Sequence, residues 1–386
     1  MHKLQSFSVA KLATVFIRLS VRLKSSGGRP SAPLGSRILT DPDDIFKHNM
    51  WDHVRWTEED EENARQKAEE NSSEQHPLKD QGKFDTEACQ YWDKFYEVHQ
   101  DKFFKDRRWL FLEFPELLPS GDRASNLCQG RQHEAAVPQQ SPSSTDTETE
   151  HNDHHDRNTS HRQEFCREAA QETNEAATQT STFPGQHASF RILEVGCGVG
   201  NSVFPIVNEI KETDSFLYCC DFSPRAVQLV KDHPDYDDSV CHAFVHDICE
   251  EMASFPFPAQ SLDVILAVFV LSSIHPERMQ GVVNRLSSYL KHGGIFLFRD
   301  YGRYDLSQLR FKKGRCLSEN FYTRGDGTCV YFFTKEEVHD LFSKAGLEEI
   351  QNLEDKRLQV NRGKKVVMRR VWMQSKYRKS CPSSSS

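Results

Sequence analysis

The chain has 386 residues with 37% hydrophobic content, 19 glycines and 16 prolines, which supports one large or two small cores and excludes collagen-like or core-less compositions. It contains no run of about 18 apolar residues, so a membrane-spanning helix is excluded. The net charge of -8 says little, because its distribution is uneven.

Met1 to Thr40 carries no acidic residue. Its basic residues, Arg18 and Arg22 among them, interrupt an apolar series that includes Val15, Phe16, Ile17 and Leu19. A secretory signal needs an unbroken apolar run, so this composition points to an amphipathic mitochondrial presequence over residues 1–40. The alternative is a basic helix that binds RNA or simply flexes, in a cytoplasmic or nuclear protein. Residues 41–82 reverse the sign around Glu58-Glu59-Asp60-Glu61-Glu62, as a solvated helix face or a linker does. Phe84 to Leu118 is rich in aromatics and belongs to the folded body, so 41–119 reads as a mostly helical N-terminal extension. Residues 120–189 hold only Leu127, Val137, Phe165 and Phe183 as large apolar side chains; such a linker cannot bury a core and is expected to be disordered. Its histidines His151, His154, His155 and His161 lack cysteine partners, and no metal site is expected there. The 11 cysteines are scattered without any CxxC spacing, which argues for reduced thiols inside a cell.

From Phe190 the pattern alternates. Apolar strands are expected over residues 191–195, 216–220, 240–246, 263–270, 295–299 and near 366–373, with helices at 202–211, 224–232, 276–290 and 334–345. Strands this apolar, joined by helices, imply an α/β fold with a parallel sheet covered on both faces and ligands at the strands' carboxyl ends. Residues 380–386 form a tail.

The first of these strands runs into Glu194-Val195-Gly196-Cys197-Gly198-Val199-Gly200-Asn201. A dinucleotide fingerprint requires GxGxxG, whereas here the third glycine comes one residue early and Asn201 fills the expected slot. Asp221 ends the second strand, where an acid meets ribose hydroxyls, and Asp247 ends the third, where an acid accepts from an adenine amino group. With Glu194 and the glycines Gly196 and Gly198, these carboxylates resemble the class I S-adenosylmethionine-dependent methyltransferases.

Longer blocks sharpen the resemblance. LEVGCGVGNSVFP, CDFSPRAV, FVLSSIHPERM, the segment from Phe298 to Thr328, IFKHNMWDHVRWTEED and the segment from Tyr91 to Leu117 are similar to the transfer RNA 3-methylcytidine methyltransferases, most of all their mitochondrial branch. The resemblance covers nearly the whole chain outside residues 1–40 and the polar linker, which is longer than expected for the family. It implies a Rossmann-like fold with a mostly parallel seven-stranded sheet, S-adenosyl-L-methionine as cofactor, and transfer RNA as substrate at cytidine 32 of the anticodon loop. The mitochondrial branch implies threonine and serine transfer RNAs, and a seryl-tRNA synthetase as partner. Carried over residue by residue, Trp92, Tyr96, Gly196, Asp221, Asp247 and Val268 are its cofactor contacts. Trp92 and Tyr96 are four apart, so their rings share a helix face and can present electron-rich surfaces to a sulfonium.

Cytosine N3 has its own lone pair, so no base need remove a proton before attack. Catalysis is then positioning, together with stabilisation of the positive charge that develops on the base. N3 lies on the Watson–Crick edge, so the base must be unpaired or flipped. Asp300, beyond a strand's carboxyl end, is the leading candidate for a base-facing carboxylate, with Arg299, Tyr301 and His275 as further substrate contacts. Lys105, Arg107 and Arg108 beside Phe103, Phe104 and Trp109 suit single-stranded RNA. Residues 291–379 hold 20 Lys and Arg against 11 Asp and Glu. Their densest run, Arg310, Lys312, Lys313 and Arg315, lies within a basic insertion near 301–330, before a hairpin at Gly325-Asp326-Gly327. Two other readings remain: the same donor with a protein or small-molecule acceptor, and a catalytically silent RNA-binding scaffold.

Overall fold

The computed structural model describes residues 36–102, 105–119 and 182–381. Most of the presequence reading, Phe103, Phe104, the histidine cluster and residues 382–386 lie outside the described residues.

The N-terminal region supplies strand β1 (Met50–Trp51) and helices α1 (Glu58–Ser72), α2 (Leu78–Gln81), α3 (Lys83–Thr86), α4 (Ala88–His99) and α5 (Leu110–Glu113). The acidic run opens α1: Thr57 caps the helix in a capping box with Asp60, and acids in the first turn suit the helix dipole. Its other face buries Ala64, Ala68 and Asn71, so the run is one side of a packed helix and not a linker.

Alternation then sets in, with β2 (Phe190–Val195), α6 (Val203–Ile210), β3 (Ser215–Asp221), α7 (Pro224–Lys231), β4 (Cys241–Val245), β5 (Leu262–Val268), α8 (Pro276–Tyr289) and β6 (Leu290–Tyr301). Helix α9 (Leu306–Leu309) and the small antiparallel sheet β7 (Cys316–Ser318), β8 (Phe321–Thr323) and β9 (Cys329–Tyr331) form an excursion before α10 (Lys335–Lys344), β10 (Leu347–Asn361) and β11 (Val366–Lys379). The glycine-marked hairpin joins β8 to β9, closed by the Arg324 amide donating to Thr328 O at 2.7 Å.

The main sheet runs β1-β10-β11-β6-β5-β2-β3-β4. Strands β4, β3, β2, β5 and β6 are parallel, and β11, β10 and β1 continue antiparallel. This is the Rossmann-like fold that the resemblance implies, with eight strands where seven were expected. The addition is β1, which pairs Trp51 with Leu358 and buries the indole against Leu358 and Val360; two residues are too short to announce a strand.

All seven residues of β3 are buried, as a parallel strand covered on both faces must be. One face packs Tyr218, Ile265 and Phe296 under α8 and α10, and the other packs Ile192, Leu217 and Leu297 under α6, Leu110 and Phe114. The aromatic N-terminal segment is therefore part of the sheet's cover. Two composition boundaries shift for the same reason. Phe183 packs on the core beneath the Arg191 guanidinium, 5.7 Å from its ring, although composition placed it in the polar linker. Arg37, assigned to the presequence, is buried, and its amide donates to the Asp52 carboxylate.

Candidate active site

The carboxyl ends of β2, β3 and β5 open onto a cavity of about 610 Å³ that is roofed by α3 and α4. The turn after β2 forms its floor. Gly196 (φ +59) and Gly198 (φ +55) adopt left-handed backbone, and a Cβ at Gly196 would stand 2.5 Å from Val270 Cγ2. A Cβ at Gly198 would stand 2.9 Å from the Tyr96 hydroxyl. Only glycine fits between the strand ends and the roof.

Asp221 ties this floor together. Its Oδ2 accepts from Gly198 N at 2.9 Å and its Oδ1 from Ser223 N at 3.0 Å, while the side chain lines the cavity. Burial pushes its carboxyl up to about 6, against the pull of those amides. Asp247 lies on the cavity rim beyond β4, exposed, and accepts from Cys249 N at 2.8 Å. Trp92 and Tyr96 share one face of α4, stacked with centroids 5.8 Å apart, and both line the cavity. Asp93, on the same helix, accepts from the Ser223 hydroxyl and from Arg225 N, which docks the roof on the start of α7.

Glu194 is fully buried, and burial pushes it up to about 7, against the pull of Arg107 and the Ser202 hydroxyl. Arg107 opposes that shift with Nη1 3.6 Å away, donating also to Ser202 Oγ at 2.8 Å. Val268 turns its side chain into the core beside Val264 and Leu266, so it does not line the cavity. The close-approach glycines, a ring pair, and carboxylates at the second and third strand ends fit an adenosyl donor bearing a sulfonium. The fit is poor for a pyrophosphate, which wants no facing carboxylates.

A methyltransferase domain profile matches residues 193–296. The chain is 52% identical over 345 residues to the tRNA N(3)-cytidine methyltransferase METTL2 of Danio rerio, covering 89% of this chain and 88% of that one. It is 48% identical over 365 residues to METTL2B of Homo sapiens, covering 91% and 95%. The chain belongs to the tRNA N(3)-cytidine methyltransferases. It is also 46% identical over 265 residues to human mitochondrial METTL8, covering 66% of this chain and 91% of that one. The enzyme's cofactor is accordingly S-adenosyl-L-methionine.

The residues expected at the acceptor are distributed differently from what their sequence positions suggest. Alternation along β6 sends Arg299 and Asp300 to opposite faces. Arg299 lies between Trp109 and Trp372, 5.0 and 4.9 Å from their rings, and bonds Gln374 and Asp355. Asp300 is fully buried beneath the β5–α8 segment; it accepts from Ser272 N and Tyr301 N, each at 2.9 Å, and is absent from the cavity lining. Burial pushes it up to about 6, opposed by the Ser272 bonds. His275 does reach the cavity, as the N-cap of α8 with its ring edge-on to Phe321. Tyr301 lies behind the wall, against Phe269 at 4.9 Å.

Among the basic residues, Lys105 and Arg108 are exposed, but Arg107 is turned inward onto Glu194. Arg310, Lys312 and Lys313 are exposed on a turn whose Gly314 amide donates to Glu74 O at the end of α1, and half-buried Arg315 donates to Arg324 O. Sequence reasoning missed Cys89, Phe84, Phe269 and Phe321 in the lining. The first lies on the Trp92–Tyr96 face, one turn earlier on α4, a spacing visible in the sequence.

Proposed function

We propose that the enzyme methylates N3 of cytidine 32 in the anticodon loop of mitochondrial threonine and serine transfer RNAs, with a seryl-tRNA synthetase as partner. The observation that carries the acceptor is near-full-length identity of about half to relatives named for this reaction. The acid-free, Arg-interrupted N-terminus and the similarity to mitochondrial METTL8 support the matrix location.

When bound, the donor supplies an electrophilic methyl group on a sulfonium. The chain's own work is positioning. Asp221 accepts from the ribose hydroxyls, Asp247 from the adenine amine, and Trp92 and Tyr96 face the sulfonium. No side chain is required as general base, because N3 attacks with its own lone pair. Asp300 acts as a positioning residue through Ser272, and His275 contacts the substrate from the cavity wall. The intact cavity weighs against a silent scaffold, and the exposed basic residues Lys105, Arg108, Lys312 and Lys313 weigh against a small-molecule acceptor.

Mass spectrometry of nucleosides from cells lacking the protein, with mitochondrial and cytosolic transfer RNA analysed separately, tests this. Loss of 3-methylcytidine confined to the mitochondrial pool is expected. Loss confined to the cytosolic pool overturns the location, and no loss in either overturns the acceptor.

A further inference from the structure

Phe269 follows the last residue of β5 with φ +61. A bulky non-glycine residue in left-handed backbone is strained, and such strain persists where surrounding contacts over-determine it. The contacts that fix the segment come from three consecutive residues of β6, and the Arg107 guanidinium lies 5.9 Å from the Phe269 ring. The Phe269 amide donates to Arg299 O at 2.8 Å, the Ser272 amide donates to the Asp300 carboxylate, and the Phe269 ring rests on Tyr301. Next to it, Val270 closes over Gly196, so this segment and the glycine floor interlock. The strained backbone holds the Phe269 ring at the core's edge: its neighbours Val268 and Val270 are buried, whereas Phe269 is half-buried, packs on the core and lines the cavity. The ring packs there on Tyr301 and under the Arg107 guanidinium, and its remaining surface faces the cavity.

We propose that Phe269 is the platform on which the target cytosine stacks when its N3 is presented to the methyl group. The inference rests on the reading of the acceptor as a cytidine base. A flat ring fixed by β6 gives an unpaired pyrimidine one face to lie against, and stacking on aromatic side chains is the usual way single-stranded bases are held. Asp300 and Tyr301 then act through Phe269, by fixing the segment and the ring.

The test uses the full-length enzyme, an unmodified transcript of mitochondrial threonine transfer RNA, and S-adenosylhomocysteine as the cofactor probe. Phe269→Leu keeps a Cβ at the strained position and an apolar side chain, but removes the ring. It is expected to lower kcat/KM for RNA by roughly 5- to 150-fold, the range set by base–aromatic stacking, with calorimetric affinity for S-adenosylhomocysteine unchanged from the parent. Phe269→Tyr is expected to restore most of the loss. With pyrrolocytosine at the target position, the fluorescence change that the parent produces on binding is expected to be lost in Phe269→Leu and kept in Phe269→Tyr. Unchanged methylation by Phe269→Leu overturns the platform. So does a parallel fall in cofactor affinity, which places the ring against the donor, or a Tyr variant no better than Leu. A parent enzyme that methylates no cytidine transcript overturns the functional reading itself, whereas an active parent with an equally active Leu variant overturns only the platform.

Discussion

The two sides of the cavity, the strand-end side proposed to hold the donor and the opposite side proposed to hold the acceptor, are built on different principles. The proposed donor wall is local: Gly196, Asp221 and Asp247, with Glu194 and Gly198 behind them, each lie at or just after the end of a parallel strand, so chain order and spatial order coincide. The acceptor wall is assembled from distant pieces. Phe84 comes from the N-terminal region, Phe269 and His275 from the β5–α8 segment, and Leu317 and Phe321 from the small sheet. A parallel sheet fixes what its strand ends present, but the rest depends on how the N-terminal extension docks on β6, β10 and β11. That docking rests on buried charge. Arg357 bonds Glu113 at 2.7 Å and Asp355 at 2.8 Å, with Asp52 at 3.4 Å, and Asp355 also holds Arg299.

If the acceptor wall depends on this network, breaking it carries the largest effect. Arg357→Ala removes the guanidinium that faces the carboxylates of Asp52, Glu113 and Asp355 and is expected to destabilise the fold by roughly 3–5 kcal/mol, read as a drop in thermal and denaturant midpoints. Burial alone raises the Asp355 carboxyl, but Arg299 and Arg357 outweigh it and hold it below its ordinary value. A variant that melts with the parent would show that apolar packing of Leu110 and Phe114 alone holds the extension.

The next effect separates Asp300 from Asp221, two buried carboxyls both raised to about 6. A carboxyl raised on folding contributes stability that is present below its unfolded value near 4 and lost as pH rises through its folded value. Stability in the cofactor-free enzyme should therefore fall between about pH 4 and 7, with Glu194 extending the window. Asp300→Asn removes one of these groups and is expected to flatten that fall by up to about 3 kcal/mol, leaving cofactor affinity unchanged while turnover drops. An unaltered profile in urea titrations across this range would mean that folding does not raise the Asp300 carboxyl.

How much of this was legible follows the same division. The strand ends, α6, α7, α8 and α10 are marked by apolar runs, glycines and caps lying next to one another in the chain, so they emerge from spacing alone. The Trp92–Tyr96 pair emerges from the helical repeat, although its place against the donor came from family resemblance. Arg299 and Asp300 were both read as acceptor residues because they end a strand; nothing in a linear sequence says which face each takes when β6 is flanked by β11 and the register is set by pairs such as Met373 with Asp300. Arg107 looked like an RNA contact among basic neighbours, because the buried carboxylate it meets lies 87 positions away, at Glu194.

On the proposed donor wall, Asp221→Ala is expected to weaken cofactor binding by about 2 kcal/mol, since it removes the carboxylate proposed to accept from the ribose hydroxyls and also releases Gly198 N and Ser223 N. Isothermal titration measures it. If affinity fell equally in Arg357→Ala under conditions where that variant stays folded, the two walls would not be separable.

The smallest expected effect probes the outer edge of the acceptor side. Lys312 and Lys313 are exposed, whereas Arg315 in the same run is half-buried and already bonded to Arg324 O, so only part of the run is free to meet phosphates. The nearby end of α1 also brings Glu70 and Glu74 beside this turn, which weakens its positive field. Replacing both lysines by glutamine is therefore expected to reduce the slope of log affinity against log salt by about 0.7 to 0.9 per lost phosphate contact, at most two contacts' worth. Cofactor affinity should stay fixed, because the turn is no part of the cavity lining. Transfer RNA binding at several salt concentrations reads both the slope and the affinity. A slope equal to the parent's would make the run a solvated face and leave Lys105 and Arg108, on the segment that Arg107 anchors to the glycine turn, as the phosphate contacts to test next.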